Sequence, residues 1–205
     1  MKPFKISIII VILAGLGIPA YAQQQKLTMN INYGINTPTG NFKSDLVNKT
    51  SFSGWNANIL YGVTDKLSLG IEAGFADYYQ KFPRQLYNTK GGTISAVLTN
   101  SIQTVPLMIK GRFNLAPSSV VQPYVGVGAG GNFVSYNQYL GEFASSKSGI
   151  YFAASPEAGF MIPFSKHGAS AFTAGAKYNF MPFTYGDAKN LNNWGVYAGI
   201  KFPLK

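Results

Sequence analysis

Cysteine is absent from the 205-residue chain, and histidine occurs once. Without thiols, disulfides, thiol catalysis and zinc–thiolate sites are excluded, and a lone histidine leaves little scope for metal binding or for histidine-based catalysis. Charge is scarce as well: only 12% of the residues are charged, against about 25% in typical soluble domains. Aromatic residues make up 15% of the chain, which excludes disorder because so many rings must be hidden from water.

The N-terminus has the features of an export signal. Two lysines precede a mostly apolar run over 6–18, and Pro19 and an Ala-Tyr-Ala sequence that ends at Ala22 follow it. This order is typical of a cleaved secretory signal peptide. An N-terminal membrane anchor is the alternative, but a spanning helix needs about 20 apolar residues. We therefore expect residues 1–22 to be removed and residues 23–205 to form the mature domain.

Strict alternation of apolar with small or polar residues recurs along the mature chain. This period of two is the pattern of a strand whose two faces meet different surroundings. No segment of the mature chain shows a helical period. The pattern predicts eight strands, near 27–35, 54–63, 67–75, 104–113, 124–133, 152–162, 172–180 and 194–202.

The connections between these strands alternate in length. Short ones are expected near Thr64–Lys66, Asn114–Val120 and Pro163–Gly168. Long polar ones are expected near Thr37–Ser51, Asp77–Asn100, Val134–Ser148 and Met181–Asn192. Short turns at one end and long loops at the other are typical of transmembrane β-barrels.

The polar face of the strands indicates which side meets water. It consists mostly of Gly, Asn and Ser, which suit a crowded barrel interior, so the apolar face would contact lipid. Aromatic residues near the strand ends match the interfacial rows of membrane barrels. The sequence therefore predicts an all-β, eight-stranded antiparallel up-and-down transmembrane β-barrel with both termini in the periplasm. A secreted lipocalin-like barrel or a β-sandwich is the alternative.

Two stretches carry a family resemblance: Thr104–Phe113 (TVPLMIKGRF) and Gln122–Gly130 (QPYVGVGAG). They are similar to the small outer-membrane β-barrel family that includes the OmpA transmembrane domain, OmpX and the opacity-type porin-family proteins. The resemblance implies an integral protein of the Gram-negative outer membrane. It says much more about fold and location than about activity.

Charged residues on the inward face form the sharpest candidate site. An eight-stranded barrel is just wide enough for side chains to fill it, and opposite charges confined there should pair. We predict a structural ion network that fills the lumen, with two glutamates as its anionic centres. Separate, water-solvated charges are the alternative. The predicted members are Glu72, Glu157, Lys110, Arg112, Lys177 and Lys201.

The long connection after the third strand mixes aromatic and basic residues. Such a mixture suits recognition of a protein or glycan, but these residues could equally cap the barrel mouth or extend the flanking strands. The contact candidates are Tyr78, Tyr79, Lys81, Phe82, Arg84 and Tyr87.

Basic residues are spread over the predicted outer loops, at Lys43, Lys49, Lys81, Arg84, Lys90, Lys147 and Lys189. The absence of a continuous basic run argues against nucleic-acid binding. Attraction to lipopolysaccharide phosphates is the simpler hypothesis. Solvated loop charge without a partner is the alternative.

Two other motifs have plain structural interpretations. Gly126–Gly131 satisfies the G-x-G-x-x-G pattern, but phosphate binding needs a helix to follow it, and here the glycines continue a strand as small inward residues. The single histidine, His167, lies beside Ser165 and Lys166 in a predicted turn. We interpret it as a turn residue rather than a catalytic one.

The function expected from these features is a non-enzymatic, monomeric outer-membrane barrel with a structural or surface-interaction role. Its partners would be membrane lipid, lipopolysaccharide and a protein or glycan, with no cofactor, metal or nucleic acid. A narrow transport barrel for small apolar solutes or ions is the alternative, with an apolar pocket around Leu60, Met108 and Met161. An accessory subunit of an envelope complex is a third hypothesis.

Overall fold

The computed structural model describes residues 27–89, 92–165, 170–185 and 188–204. The strands in chain order are β1 (Leu27–Pro38), β2 (Ser51–Gly62), β3 (Leu67–Lys81), β4 (Gln85–Thr89), β5 (Gly92–Ala96), β6 (Leu98–Asn114), β7 (Gln122–Leu140), β8 (Phe143–Pro163), β9 (Ala171–Asn179), β10 (Pro182–Tyr185), β11 (Ala188–Asn190) and β12 (Asn193–Pro203).

Eight of these strands close into one barrel, in the order β1-β12-β9-β8-β7-β6-β3-β2. All neighbours are antiparallel, and β1 closes the barrel against β12 with Ile31 opposite Ile200. Each barrel strand covers one of the eight alternating segments of the sequence. The predicted fold class is confirmed.

The alternation places apolar side chains outside the barrel and polar ones inside. On β6, the outward Ile109 is 74% exposed, whereas its neighbours Met108 and Lys110 are 2% and 3% exposed. Exposing a large apolar side chain to water costs about 1.5–3 kcal/mol, so a whole surface of them requires an apolar solvent. The outward face also carries large aromatic side chains, including Tyr33, Trp55, Tyr61, Phe113, Phe133, Phe160, Phe172 and Trp194.

The two ends of the barrel differ in their connections. The end that carries the start of β1 and the end of β12, here called the inner end, has the short connections 63–66 and 115–121. The opposite end, here called the outer end, carries three longer connections and the two-residue turn between β7 and β8. The predicted turns near Thr64–Lys66 and Asn114–Val120 are confirmed, and part of the third predicted turn lies outside the described residues.

The predicted long loop over Val134–Ser148 is wrong. β7 and β8 continue through it and pair up to Leu140 and Phe143. A two-residue turn joins them, with Gly141 at a φ of 61°. A positive φ at the first central residue is what a type II′ hairpin turn requires, and glycine adopts it without strain. The extension was missed because its outward face is polar and small, so it lacks the apolar alternation of the lower barrel.

The predicted loop over Asp77–Asn100 is also mostly strand. β3 runs on to Lys81 and pairs there with β6, which begins at Leu98. The residues between them form the β4–β5 hairpin. The predicted loop over Met181–Asn192 contains a second small hairpin, β10–β11.

The connection between β1 and β2 contains a short π-helical turn, Phe42–Leu46. The expectation of a mature chain without helix is therefore wrong for this one turn, whose Phe42 and Leu46 are buried. No helix in the described residues is long and apolar enough to cross a membrane.

Candidate functional site

Five ionised side chains meet inside the barrel wall, far from bulk water. They are Glu72 on β3, Lys110 and Arg112 on β6, Glu157 on β8 and Lys177 on β9; we call them the charge cluster. Each occupies an inward position of its strand's alternation, so closure of the barrel brings them together.

Lys110 bridges the two carboxylates. Its ammonium group contacts a carboxylate oxygen of Glu72 and lies 2.8 Å from Oε2 of Glu157. Lys177 approaches the other oxygen of Glu72 at 3.2 Å, and Arg112 approaches Oε1 of Glu157 at 3.4 Å. Both carboxylates are thus shared between two cations, so the cluster is one connected network.

The cluster is almost fully buried. The side chains of Lys110, Arg112, Glu72 and Glu157 are 2–3% exposed, and that of Lys177 is 9% exposed. Charges that are taken out of water are tolerated only when they are paired and hydrogen-bonded. The cluster contains three cations and two carboxylates, so the removal of either carboxylate leaves excess buried positive charge.

Two tyrosines join the network. The hydroxyl of Tyr197 donates to Oε2 of Glu157 at 2.9 Å and lies 2.8 Å from the hydroxyl of Tyr124. The guanidinium of Arg112 stacks over the Tyr124 ring, 4.2 Å from its centroid, in the geometry of a cation–π contact. These two tyrosines were not among the site residues predicted from the sequence. Their inward position was the available signal.

Lys201, the remaining predicted member, is not part of the charge cluster. It lies near the inner end of β12, opposite Asn30 and Ala171, and is only half-buried. None of the four ion pairs of the cluster involves it. Its position explains this, because it lies closer to the barrel mouth than the middle of the lumen where the carboxylates meet.

The glycine-rich motif makes room for the network. Gly126 continues β7, and a Cβ atom at this position would lie 2.8 Å from Oε1 of Glu157. A larger residue would displace that carboxylate. No helix follows the motif in β7, which agrees with its interpretation as a run of small inward residues.

Buried amides extend the polar interior toward the first two strands. Asn30 donates to Asn58 at 2.7 Å, and Asn32 donates to Asn56 at 2.9 Å. Thr173 donates to Asn32 at 2.8 Å, over the intervening strand β12. These bonds link the inward faces of β9, β1 and β2, while Oδ1 of Asn30 and Nδ2 of Asn58 are buried without a hydrogen-bond partner in the described part of the chain.

Apolar residues from two outer connections fill the outer half of the barrel. They pack against inward aromatic and aliphatic side chains of the wall: Phe42 meets Tyr78 edge-on at 4.9 Å, and Phe183 meets Tyr151 at 4.9 Å. We call this inserted group the outer plug. Its members are Phe42, Leu46, Val47, Met181, Phe183 and Leu191.

The space between the outer plug and the charge cluster is small. A cavity there, lined by Asn56, Tyr78, Lys177 and Met181 among others, has a volume of 20 Å³. That is room for about one water molecule. At this level of the lumen, between the outer plug and the charge cluster, the described side chains therefore leave little open space.

The proposed apolar pocket around Leu60, Met108 and Met161 does not exist as one space in the described residues. All three side chains are buried, but Met108 packs with the outer plug, whereas Met161 packs with Tyr124 below the charge cluster. The charge cluster separates them.

One of the six predicted contact residues is misplaced. Tyr78 is 1% exposed and points into the barrel against the outer plug, because β3 continues through it. Tyr79, Lys81 and Arg84 are exposed, and Phe82 and Tyr87 are half-buried. The five remaining candidates lie on the end of β3, on β4 and between these strands at the outer end.

The described part of the chain holds no group of three His, Asp or Glu residues that could bind a metal ion. His167 and Lys166, the signal segment 1–22 and Lys90 lie outside the described residues.

A closed eight-stranded barrel with an apolar exterior, aromatic rows and a filled polar lumen defines the class of small outer-membrane β-barrels. The sequence model of the outer membrane protein β-barrel domain matches residues 8–202. The chain belongs to this family of outer-membrane proteins.

Two solved structures show the same fold at low identity. Neisserial surface protein A is 13% identical with a TM-score of 0.52, over 87% of this chain and 96% of its own. The outer membrane protein OprG from Pseudomonas aeruginosa is 14% identical with a TM-score of 0.54, over 89% of this chain and 97% of its own. In the sequence comparison with curated proteins, none matches this chain.

Proposed function

We propose that this chain is a non-enzymatic, non-conducting barrel of the outer membrane that presents an interaction surface to the outside. The observation that carries the proposal is the filled lumen. The outer plug closes the outer half, and the charge cluster occupies the middle. A barrel closed in this way offers its outer end, rather than its interior, to other molecules.

The proposed orientation places both termini in the periplasm. The first strand begins and the last strand ends at the inner end, where the N–H of Leu204 donates to the carbonyl of Leu27 at 2.9 Å. The short connections 63–66 and 115–121 lie at this same end, and short turns face the periplasm in barrels of this class. The extended strands and hairpins then project from the cell as part of a monomer.

The first partner we propose is the phosphate-bearing surface of lipopolysaccharide. Lys81 and Arg84 are exposed at the outer end, next to the exposed Tyr79. Other exposed basic residues at this end are Lys43, Lys49, Lys147 and Lys189. A basic residue near an anionic membrane surface contributes about 1 kcal/mol.

The test compares unfolding free energies in vesicles that contain intact or dephosphorylated lipopolysaccharide. We expect the intact lipid to stabilise the wild-type protein by about 1–2 kcal/mol. The double variant Lys81→Gln/Arg84→Gln should lose most of this difference. Lys66→Gln is the matched control, because Lys66 is exposed at the inner end. Equal stability of the wild-type protein in both lipids would contradict the proposed partner.

A narrow transport barrel remains the competing function, and the 20 Å³ cavity supports it poorly because an apolar solute needs far more room. An accessory role in an envelope complex is compatible with a surface barrel. Such an accessory role predicts that another envelope protein co-purifies with the intact chain.

A further inference from the structure

The charge cluster holds one positive charge more than its carboxylates balance. Three cations, Lys110, Arg112 and Lys177, meet only the two carboxylates of Glu72 and Glu157. A buried charge is tolerated when it is paired and strongly unfavourable when it is not. The cluster therefore calls for one more negative charge.

The other acidic residues that the structure describes do not supply this charge. Asp45 and Glu142 lie in connections at the outer end, and Asp65 lies in a connection at the inner end. Asp77 occupies an outward position of the alternation along β3. The seventh acidic residue of the chain, Asp187, lies outside the described residues.

Lys177 places the excess charge beside a small cavity. Its ammonium group contacts Oε1 of Glu72 at 3.2 Å, but an ammonium group carries three N–H donors. Lys177 also lines the 20 Å³ cavity between the outer plug and the charge cluster. The remaining donors of this cation are thus available to a group in the cavity.

Two buried asparagines line the same cavity with unused amide groups. Asn36 is 6% exposed, and its side chain makes no hydrogen bond to any residue that the structure describes. This side chain lies over two glycines, because Cβ atoms at Gly54 and Gly195 would each lie 2.4 Å from its amide atoms. Asn56 is 3% exposed, and its Oδ1 accepts from Asn32 at 2.9 Å, which leaves its Nδ2 as a donor. Buried amides normally have partners, so both point to a bound group.

We propose that this cavity binds one monatomic anion, a halide such as chloride. The ammonium group of Lys177 and the Nδ2 groups of Asn36 and Asn56 are its donors. The excess positive charge favours an anion over water. A volume of 20 Å³ suits a single small ion and excludes sulfate, phosphate and carboxylates. The inference goes beyond the proposed surface function and does not depend on it.

The bound anion would connect the two parts that close the lumen. Lys177 belongs to the charge cluster, whereas Met181, which also lines the cavity, belongs to the outer plug. An ion between them neutralises the cluster and fills the space beneath the plug. The stability of the folded barrel should therefore depend on the chloride concentration.

The first measurement is urea unfolding of the protein in lipid vesicles, while chloride replaces gluconate at constant ionic strength. Gluconate is too large for the cavity, and a constant ionic strength keeps the screening of surface charges unchanged. An anion that binds only the folded state lowers the equilibrium constant of unfolding by mass action. Above the dissociation constant, we expect a decrease of about tenfold for each tenfold rise in chloride.

Two variants remove the need for the anion in opposite ways. Lys177→Met deletes the excess cation, and Asn36→Asp supplies a fixed carboxylate of nearly the same shape. Both should be insensitive to chloride, and in gluconate Asn36→Asp should be at least as stable as the wild-type protein. Lys66→Met is the matched control, because it deletes an exposed cation at the inner end and should keep the full chloride dependence.

Anomalous scattering from crystals of the folded protein grown in bromide locates the ion directly. We expect one bromide peak in the cavity, in contact with Lys177, Asn36 and Asn56. Should Lys177→Met fail to fold, the Asn36→Asp variant and this peak still decide. Three outcomes would overturn the proposal: equal stability of the wild-type protein in chloride and gluconate, full chloride dependence in either variant, or water alone in the cavity of the bromide-grown crystals.

Discussion

Replacing Glu157 by glutamine is the most direct perturbation of the charge cluster. Glu157 accepts from Lys110 at 2.8 Å, from Arg112 at 3.4 Å and from Tyr197 at 2.9 Å. Glutamine keeps the shape of the side chain but removes the charge. The cluster then holds three cations and a single carboxylate, and Lys110 and Arg112 both lose a buried counter-ion.

Breaking a buried ion pair by removal of one partner costs about 3–5 kcal/mol. We expect Glu157→Gln to lower the free energy of unfolding by an amount in this range. Glu72→Gln should act similarly, because Glu72 balances Lys110 and Lys177. Lys177→Met should cost less, since it removes the excess cation and leaves each carboxylate with a partner.

The assay is urea unfolding of the barrel in lipid vesicles, followed by the heat-dependent shift of the folded band on a gel. Glu142→Gln is the matched control, because Glu142 is exposed in the β7–β8 turn and should change stability by less than about 0.5 kcal/mol. Unchanged stability in both Glu157→Gln and Glu72→Gln would refute the reasoning, and solvated lumen charges would then be the better description.

Three further substitutions probe the lumen, each measured by the same unfolding assay. Phe183→Ala should cost about 3–5 kcal/mol, because it leaves a void in the outer plug; a loss below that of the exposed control Phe164→Ala would contradict the packing. Tyr197→Phe should cost about 1.5–3 kcal/mol by removing a hydrogen bond to a carboxylate, and a neutral result would separate the tyrosine pair from the network. Gly126→Ala should cost about 1–3 kcal/mol by crowding Glu157, and in a Glu157→Gln background the two losses should not add.

The barrel itself could be predicted, because the main determinant of this fold is the alternation of outward apolar and inward polar or small residues, which is visible in the sequence. Along β6, the outward Val105, Leu107 and Ile109 alternate with inward residues, and lipid on one side with a filled lumen on the other enforces that order. The inward charges were predictable for the same reason. Which of them meet depends on how the strands are staggered around the closed barrel, and this explains why Lys201, near the inner end, is absent from the four ion pairs of the cluster.

The outer end was harder to predict, because outward residues beyond the bilayer do not contact lipid and need not be apolar. Above the apolar band, the outward residues Ser135 and Asn137 on β7 pair with Ser148 and Ser146 on β8. Both faces of this sheet are polar or small, so the sequence looks like a loop. The outer plug was missed for the opposite reason: Phe42, Leu46 and Val47 are apolar residues inside a polar connection, and that apolar character was the available signal.

The conductance of the protein in planar lipid bilayers tests the central claim, that side chains close the lumen, most directly. The wild-type barrel should be silent or show only rare, brief openings, because the outer plug and the charge cluster block the path in series. The double variant Phe42→Ala/Phe183→Ala loosens the plug alone and should stay silent as long as the charge cluster holds. A steady conductance of porin size from the wild-type protein would contradict the closed lumen and favour transport.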